Sequence, residues 1–113
     1  MKHTGRHTAE FILLFLTEQD FYGGELLQKC EQKIPFNPID SAILYRTLKK
    51  LEYEGKVQTY IDTSRQEKPV KMYQITKEGE QQLVQFEKDV EQKVSNLLFF
   101  LDQYKKWQDL KHD

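Results

Sequence analysis

The fold is decided by residues 39–79, which read IDSAILYRTLKKLEYEGKVQTYIDTSRQEKPVKMYQITKEG. The stretch opens as a helix rich in Lys and Arg that ends at Glu54-Gly55. Two short strand-like segments follow it, around a charged tip. A helix followed by a basic hairpin is the order in which a winged helix presents itself to DNA.

The helix in this stretch has well-marked ends and two different faces. Asp40 is placed to cap it, Ser41 to Glu54 form it, and Gly55 stands in a C-terminal capping position. At about 100° per residue, one narrow stripe forms the core face and comprises Leu44, Leu48 and Leu51. The opposite face carries Ala42, Tyr45, Arg46, Lys49, Lys50 and Tyr53.

A β-hairpin is predicted directly after this helix. Val57, Thr59 and Ile61 alternate with polar or aromatic residues, and Tyr73 and Ile75 share one face of the second strand. The tip runs from Asp62 to Pro69.

Two further helices are predicted before residue 39. The first runs from about Thr8, its expected cap, to Glu18, and its run Phe11–Leu16 is apolar all round, so it needs cover on more than one side. A turn at 20–24 leads to the second, from Gly24 to about Lys33. Pro35 and Pro38 then break the chain.

From Thr76 onward the pattern is helical for about 33 residues, or roughly 50 Å. Its apolar stripe consists of Leu83, Phe86, Val90, Val94, Leu97, Leu101 and Tyr104. Too little chain remains to cover this stripe, so a homodimer is favoured over a helix folded back on its own domain. The predicted dimer contacts are Phe11, Leu14 and Phe15 of the first helix with Phe86, Val90, Val94, Leu97 and Leu101 of the last.

These elements divide the chain into two predicted parts. Residues 1–75 form a winged helix-turn-helix DNA-binding domain, and residues 76–113 form a helical dimerisation region. The expected fold class is therefore mainly α with a small β-hairpin. Charge follows the same division: residues 41–71 hold seven basic and four acidic residues, whereas residues 76–113 hold six lysines and eight acidic residues.

The local net charge of +3 in residues 41–71 favours DNA binding over a merely solvated basic face, although the whole chain carries −1. A small residue near the start of the helix permits close approach to the bases. Long side chains that donate hydrogen bonds, further along the helix, can then contact the base edges. Tip cations suit phosphate or minor-groove contact. The predicted DNA-binding residues are Ala42, Tyr45, Arg46, Lys49, Lys50, Arg65, Lys68 and Lys71.

Other classes of function find little support in the 113 residues. No nucleophile elbow, phosphate loop or paired acid and base is found, so no enzyme and no cofactor are expected. His3 and His7 lack a Cys or carboxylate at ligand spacing, which indicates a basic arm rather than a metal site. Cys30 is a lone, core-type cysteine. The longest apolar run is far below the roughly 18 residues of a membrane span, and no leader precedes it, so the expected location is the cytoplasm.

Several short motifs in order give the chain a family resemblance. They are Tyr22-Gly23, Leu44-Tyr45-Arg46-Thr47-Leu48 with Leu51-Glu52 and Gly55, Asp62-Thr63-Ser64, and Tyr73-Gln74-Ile75-Thr76 with Gly79. In these motifs, which span residues 12–83, the chain resembles the PadR family of bacterial winged-helix transcriptional regulators. The resemblance implies a homodimeric repressor whose long last helix crosses that of its partner. It also implies that the third helix and the wing bind a palindromic operator.

Two features depart from the family pattern. The wing has Glu67-Lys68-Pro69-Val70-Lys71 where the family usually has Gly-Pro followed by paired Arg. Val90 aligns with a Trp of the multidrug-sensing members, while the Trp of this chain is Trp107, so their ligand recognition does not carry over. The two elements expected to meet between subunits also carry aromatic surface. Two interpretations stay open, that these residues are core and that they bind a small aromatic effector: Phe11, Phe15, Phe86, Phe99, Phe100, Tyr104 and Trp107. The alternative function is a winged-helix protein-interaction module that binds no DNA.

Overall fold

The structure is a computed structural model that describes residues 7–65 and 68–112. In chain order the elements are α1 (Thr8–Leu16), β1 (Phe21–Tyr22), α2 (Gly23–Lys33), α3 (Ser41–Tyr53), β2 (Val57–Asp62), β3 (Val70–Ile75) and α4 (Lys77–Lys111). The predicted class, mainly α with a small β element and a long last helix, is confirmed. The described residues up to 83 and those from 84 onward form two compact units.

Helix α1 differs from its prediction at both ends. His7, with φ of 52°, occupies the N-cap position, so Thr8 is the first helical residue and not the cap. The helix ends at Leu16 rather than at Glu18. The cause is local: the hydroxyl and the N–H of Thr17 both donate to the carbonyl oxygen of Leu14, at 2.6 and 3.1 Å, which closes the last turn early.

The core of the first unit forms around α1 and α3. Its fully buried side chains are Ile12, Leu13, Leu26, Leu44, Leu48, Leu51 and Cys30. The prediction that the apolar run of α1 is covered on several sides is confirmed. Ile12, Leu13, Phe15 and Leu16 are buried, and Leu14, at 51% exposed, is the outward-facing member of the run. The predicted dimer surface needs a correction at Phe15. This side chain belongs to the core, at 7% exposed, and has little surface left for a partner.

The sheet has three strands in the order β1-β3-β2, all antiparallel. The predicted hairpin pairs Thr59 with Tyr73 and Val57 with Ile75, so these residues share the face toward the core. The strand β1 was not predicted. It occupies what the sequence indicated as a turn, and Phe21 pairs with Tyr73 of β3.

Both predicted caps of α3 are confirmed. The carboxylate of Asp40 accepts a hydrogen bond from the N–H of Ile43 at 2.8 Å. At the other end, Gly55 has φ of 77°, in the left-handed region, and the N–H of Lys56 reaches the carbonyl of Leu51 at 2.9 Å. This is the hydrogen-bond pattern of a Schellman C-cap, which stops the helix and turns the chain into β2.

Helix α4 begins within the first unit. Gly79 is buried there against the carbonyl of Lys56, where a Cβ would collide, and Leu83 packs on the core. Its 35 residues make a helix roughly 52 Å long. In the second unit the run Leu97–Leu101 is between 59 and 66% exposed on all sides of the helix. Among the helices of the described residues, none combines the length and apolarity needed to cross a membrane.

Candidate nucleic-acid interface

The outer face of α3 is a cationic surface held by a rigid support. Leu44, Leu48 and Leu51 fix one side of the helix in the core. The opposite side leaves Ala42, Arg46, Lys49 and Lys50 exposed, as predicted. None of these three cations forms a salt bridge with another residue in the described ranges. Their charge is therefore available to an external anion.

Tyr45 lies on a flank of α3 rather than on its outermost face. One residue after Leu44, it stands about 100° from the core stripe, whereas Arg46 stands about 200° away. Its ring packs so closely over Gly23 that a Cβ there would overlap the ring. The side chain stays 47% exposed. Lys49, one helical turn further along, stands about 40° from Tyr45, so these two side chains share a flank, whereas Arg46 lies on the outermost face.

A cleft of about 250 Å³ opens beside Tyr45, between α3, the start of α2 and β3. We call it the tyrosine cleft, and its lining consists of Tyr22, Gly23, Tyr45, Val70, Lys71 and Tyr73. Of these residues the sequence prediction included Tyr45 and Lys71. It missed the others as site residues, although the Tyr22-Gly23 and Tyr73-Gln74 pairs among the family motifs indicated them.

Lys71 lies on β3 at the edge of this cleft. Its ammonium is 3.2 Å from a carboxylate oxygen of Glu52 and 5.6 Å from the ring centroid of Tyr73. The other carboxylate oxygen of Glu52 accepts from the hydroxyl of Thr59 at 3.1 Å. The predicted DNA contact at Lys71 is thus oriented by α3 as well as by its own strand.

A second cleft, of about 330 Å³, flanks α3 on the side of α1. Arg46 and Lys50 contribute two cations to it, and Glu10 contributes a carboxylate at the start of α1. The remaining lining residues are His7, Thr8, Ala9, Ile43 and Thr47. Helix α3 therefore projects between two depressions, one on each flank.

The hairpin tip presents Arg65 and Lys68, both exposed. Arg65 pairs with Asp62 at 3.3 Å, and its guanidinium lies 5.2 Å from the ring centroid of Tyr22. Hydrogen bonds from Ser64, assisted by the charge of Arg65, lower the pKa of Asp62. Glu67, in the segment that departs from the family wing pattern, lies outside the described residues, as does His3.

The titratable groups elsewhere offer little chemistry. Burial raises the pKa of the Cys30 thiol to about 11, so it carries little thiolate. Within residues 7–65 and 68–112, no group of His, Cys, Asp and Glu could hold a metal ion.

Residues 12–85 match the family described as the transcriptional regulator PadR-like family. The chain belongs to this family. The resemblance drawn from the short motifs is therefore confirmed, and the winged-helix class with it. No protein of curated function matches the chain closely enough to count as a relative.

Solved structures of other proteins, PadR-family regulators among them, share the fold. A Streptococcus mutans protein, smu.1704, is 31% identical, with a TM-score of 0.66 over 74% of this chain and 76% of its own. A conserved protein designated TM0937, a potential transcriptional factor, is 28% identical, with a TM-score of 0.78 over 94% of each chain. Bacillus subtilis PadR in complex with operator DNA is 24% identical, with a TM-score of 0.65 over 72% of this chain and 46% of its own.

The residues predicted to contact a second subunit differ in exposure. Phe11, Phe86 and Val90 are half-buried, and Leu14 and Val94 are exposed. Leu97 and Leu101 are exposed as well. With Phe15 excluded, these residues stay the predicted dimer contacts.

Proposed function

We propose that this PadR-family regulator is a repressor that binds a palindromic operator as a homodimer. One observation carries the proposal: the outer face of α3 holds Arg46, Lys49 and Lys50 without salt-bridge partners among the described residues, on a helix braced by three buried leucines. A recognition helix needs this combination of rigid placement and free donors.

Within this proposal each part of the surface has its own role. Ala42 lets α3 approach the bases closely, and Arg46 is suited to a bidentate contact with guanine in the major groove. Arg65 and Lys68 at the hairpin tip contact the backbone or the minor groove. DNA binding by a protein of this fold is supported by B. subtilis PadR, whose structure is a complex with operator DNA.

The homodimer part of the proposal rests on α4. A helix with the exposed apolar run Leu97–Leu101 has to bury that surface against another element. A second copy does so economically and gives two recognition helices for two half-sites, with centres about 34 Å apart, one turn of B-DNA.

A small aromatic effector completes the proposal. Phe100, Tyr104 and Trp107 form a ladder along α4, with ring centroids 6.1 and 5.5 Å apart. Such a surface suits a planar ligand. To release DNA, the ligand must bind the DNA-incompetent arrangement better; a hundredfold preference shifts the equilibrium by about 2.7 kcal/mol.

A salt-dependent gel shift tests the function. The DNA is the promoter region in the gene's own neighbourhood, with a scrambled duplex of equal length as control. We expect specific binding that weakens steeply with salt. If neither duplex is bound at low salt, the protein-interaction module is the better description.

A further inference from the structure

The position of the tyrosine cleft matters once α3 and the hairpin are placed on DNA. A helix in the major groove and a hairpin tip at the adjoining minor groove are separated by one sugar-phosphate backbone. That backbone must cross the protein between the two elements. The tyrosine cleft lies there, since α3 contributes Tyr45 to it and β3 contributes Val70, Lys71 and Tyr73.

We propose that the tyrosine cleft holds one phosphate group of the DNA backbone in each half-site, with the Tyr45 hydroxyl and the Lys71 ammonium as donors. The inference rests on the proposed function and deepens it. It changes the role of Tyr45 from a reader of bases to a positioning contact that carries no sequence information.

The Tyr45 side chain is prepared for this contact before DNA arrives. Its ring is held against Gly23, which has no Cβ to push it away. The ring therefore loses little freedom on binding, because its position is already fixed in the free protein. A phenol hydroxyl both donates and accepts, so it can donate to a phosphate oxygen.

Lys71 supplies the positive charge. Its pair with Glu52 is largely exposed at both ends, and exposed pairs contribute little, so the ammonium can turn toward a phosphate at small cost. Glu52 remains held by Thr59 when Lys71 turns away. Arg65 lies over the ring of Tyr22 near the same cleft, where it pairs with Asp62 at 3.3 Å.

The cleft lining is otherwise neutral. Burial raises the pKa of Tyr73, so this phenol stays protonated and adds no negative charge that would repel a phosphate. Val70 and Gly23 are uncharged. The nearby anions are Glu52 and Asp62, whose charges are offset by Lys71 and Arg65 in the free protein.

Three variants of the full-length chain test the proposal against both operator and scrambled duplex. Tyr45→Phe removes one hydroxyl, and we expect it to weaken both complexes by about fivefold to tenfold. Lys71→Gln should lower the slope of log affinity against log salt by about 0.9 per subunit. Tyr60→Phe is the matched control. The side chain of Tyr60 is half-exposed, and its hydroxyl donates to Asp20. Tyr60 pairs with Met72 across the strands, one residue from Tyr73, so it lies on the face of the sheet opposite to Tyr73. It should leave DNA affinity unchanged.

A second experiment identifies the phosphate itself. Uncharged methylphosphonate linkages are placed one at a time along the operator backbone. At one position per half-site, wild-type affinity should fall, and Lys71→Gln should cause no further loss there. Such non-additivity is expected of two groups in direct contact.

Three outcomes would overturn the inference. If Tyr45→Phe binds both duplexes as wild type does, while Arg46→Ala loses operator preference, the cleft is empty and the proposed function stands. If Tyr45→Phe alters preference at one base pair, Tyr45 reads a base. If the wild-type chain binds no duplex at low salt, the inference fails together with the function.

Discussion

The hydroxyl of Thr76 donates a hydrogen bond of 2.7 Å to the carbonyl oxygen of Gly55. The same hydroxyl oxygen accepts the N–H of Gly79 at 3.2 Å, and the N–H of Thr76 donates to the carbonyl of Lys56 at 3.1 Å. Thr76 thus caps α4 and also fastens it to the turn that ends α3. Helix α3 and the start of α4 share one anchoring point.

Replacing Thr76 with Val keeps the shape of the side chain and removes this hydroxyl. We expect the free energy of unfolding to fall by about 1 to 2 kcal/mol, because a helix cap and a hydrogen bond disappear together. Urea unfolding followed by circular dichroism measures the change. Thr63→Val in the exposed hairpin tip is the control and should stay within about 0.5 kcal/mol of wild type. Equal effects of the two variants would remove Thr76 from its anchoring role.

Replacing Arg46 with Ala should cost operator binding about 1 to 3 kcal/mol and relax selectivity at one base pair of each half-site. The reason is the loss of a bidentate donor from the exposed face of α3. Binding to a set of operators, each with one substituted base pair, measures both quantities. Lys49→Ala is tested in parallel; unchanged affinity in both variants would exclude α3 as the recognition helix.

Neutralising Arg65 or Lys68 at the hairpin tip should weaken specific and random DNA alike. For every phosphate that the tip no longer binds, the slope of log affinity against log salt should fall by about 0.9 per wing. Arg65→Gln also frees Asp62 from its partner at 3.3 Å, so Lys68→Gln is the cleaner variant. A titration in increasing salt gives the slope, and a slope equal to that of wild type means that the tip stays clear of DNA.

Leu97→Asp should disrupt the proposed dimer, because it places a charge at the first position of the exposed apolar run of α4. Sedimentation should show the variant as monomers or aggregates at micromolar concentration. Gln81→Asp, at an exposed position nearer the start of α4, serves as the control for an added charge. A full-length wild-type protein that sediments as a well-behaved monomer would refute the dimer.

The Cys30 thiol makes folding stability depend on alkaline pH. Burial raises the pKa of this thiol from 9.0 to about 11. The folding stability that the protonated thiol contributes is therefore present in full below pH 9.0 and is lost as pH rises toward about 11. Urea unfolding at several alkaline pH values should show this decline, and Cys30→Ala should lack that part of it. In the native state, thiol reagents at about pH 8 should react slowly, because the fully buried sulfur carries little thiolate.

Much of the first unit was predictable because its signals are local. Three leucines at helical spacing fixed the inner side of α3, and Asp40 and Gly55 marked its ends. The alternation after Val57 indicated the hairpin. Each of these features depends on residues close in sequence, so residue type and spacing were sufficient to find them.

Features that depend on distant contacts were missed. The two residues of β1 are too few to show a period, and they form a strand only because β3 offers a free edge. Phe15 is a large aromatic residue of the kind found at interfaces, yet it is buried in the core of its own unit. The contact between the Tyr45 ring and Gly23 joins α3 to α2, and the periodicity of α3 alone does not reveal it. Sequence therefore found the cations of the site but not the cleft between α3 and the wing.

The exposed run Leu97–Leu101 has a consequence for the life of the chain in a cell. For the proposed dimer, this means that a newly synthesised copy can complete its first unit, with the buried leucines in place, before it meets its partner. Until that meeting it displays apolar surface of the kind that chaperones and proteases engage. The abundance of such a protein would then rise faster than its synthesis, because copies that assemble escape degradation and solitary copies do not.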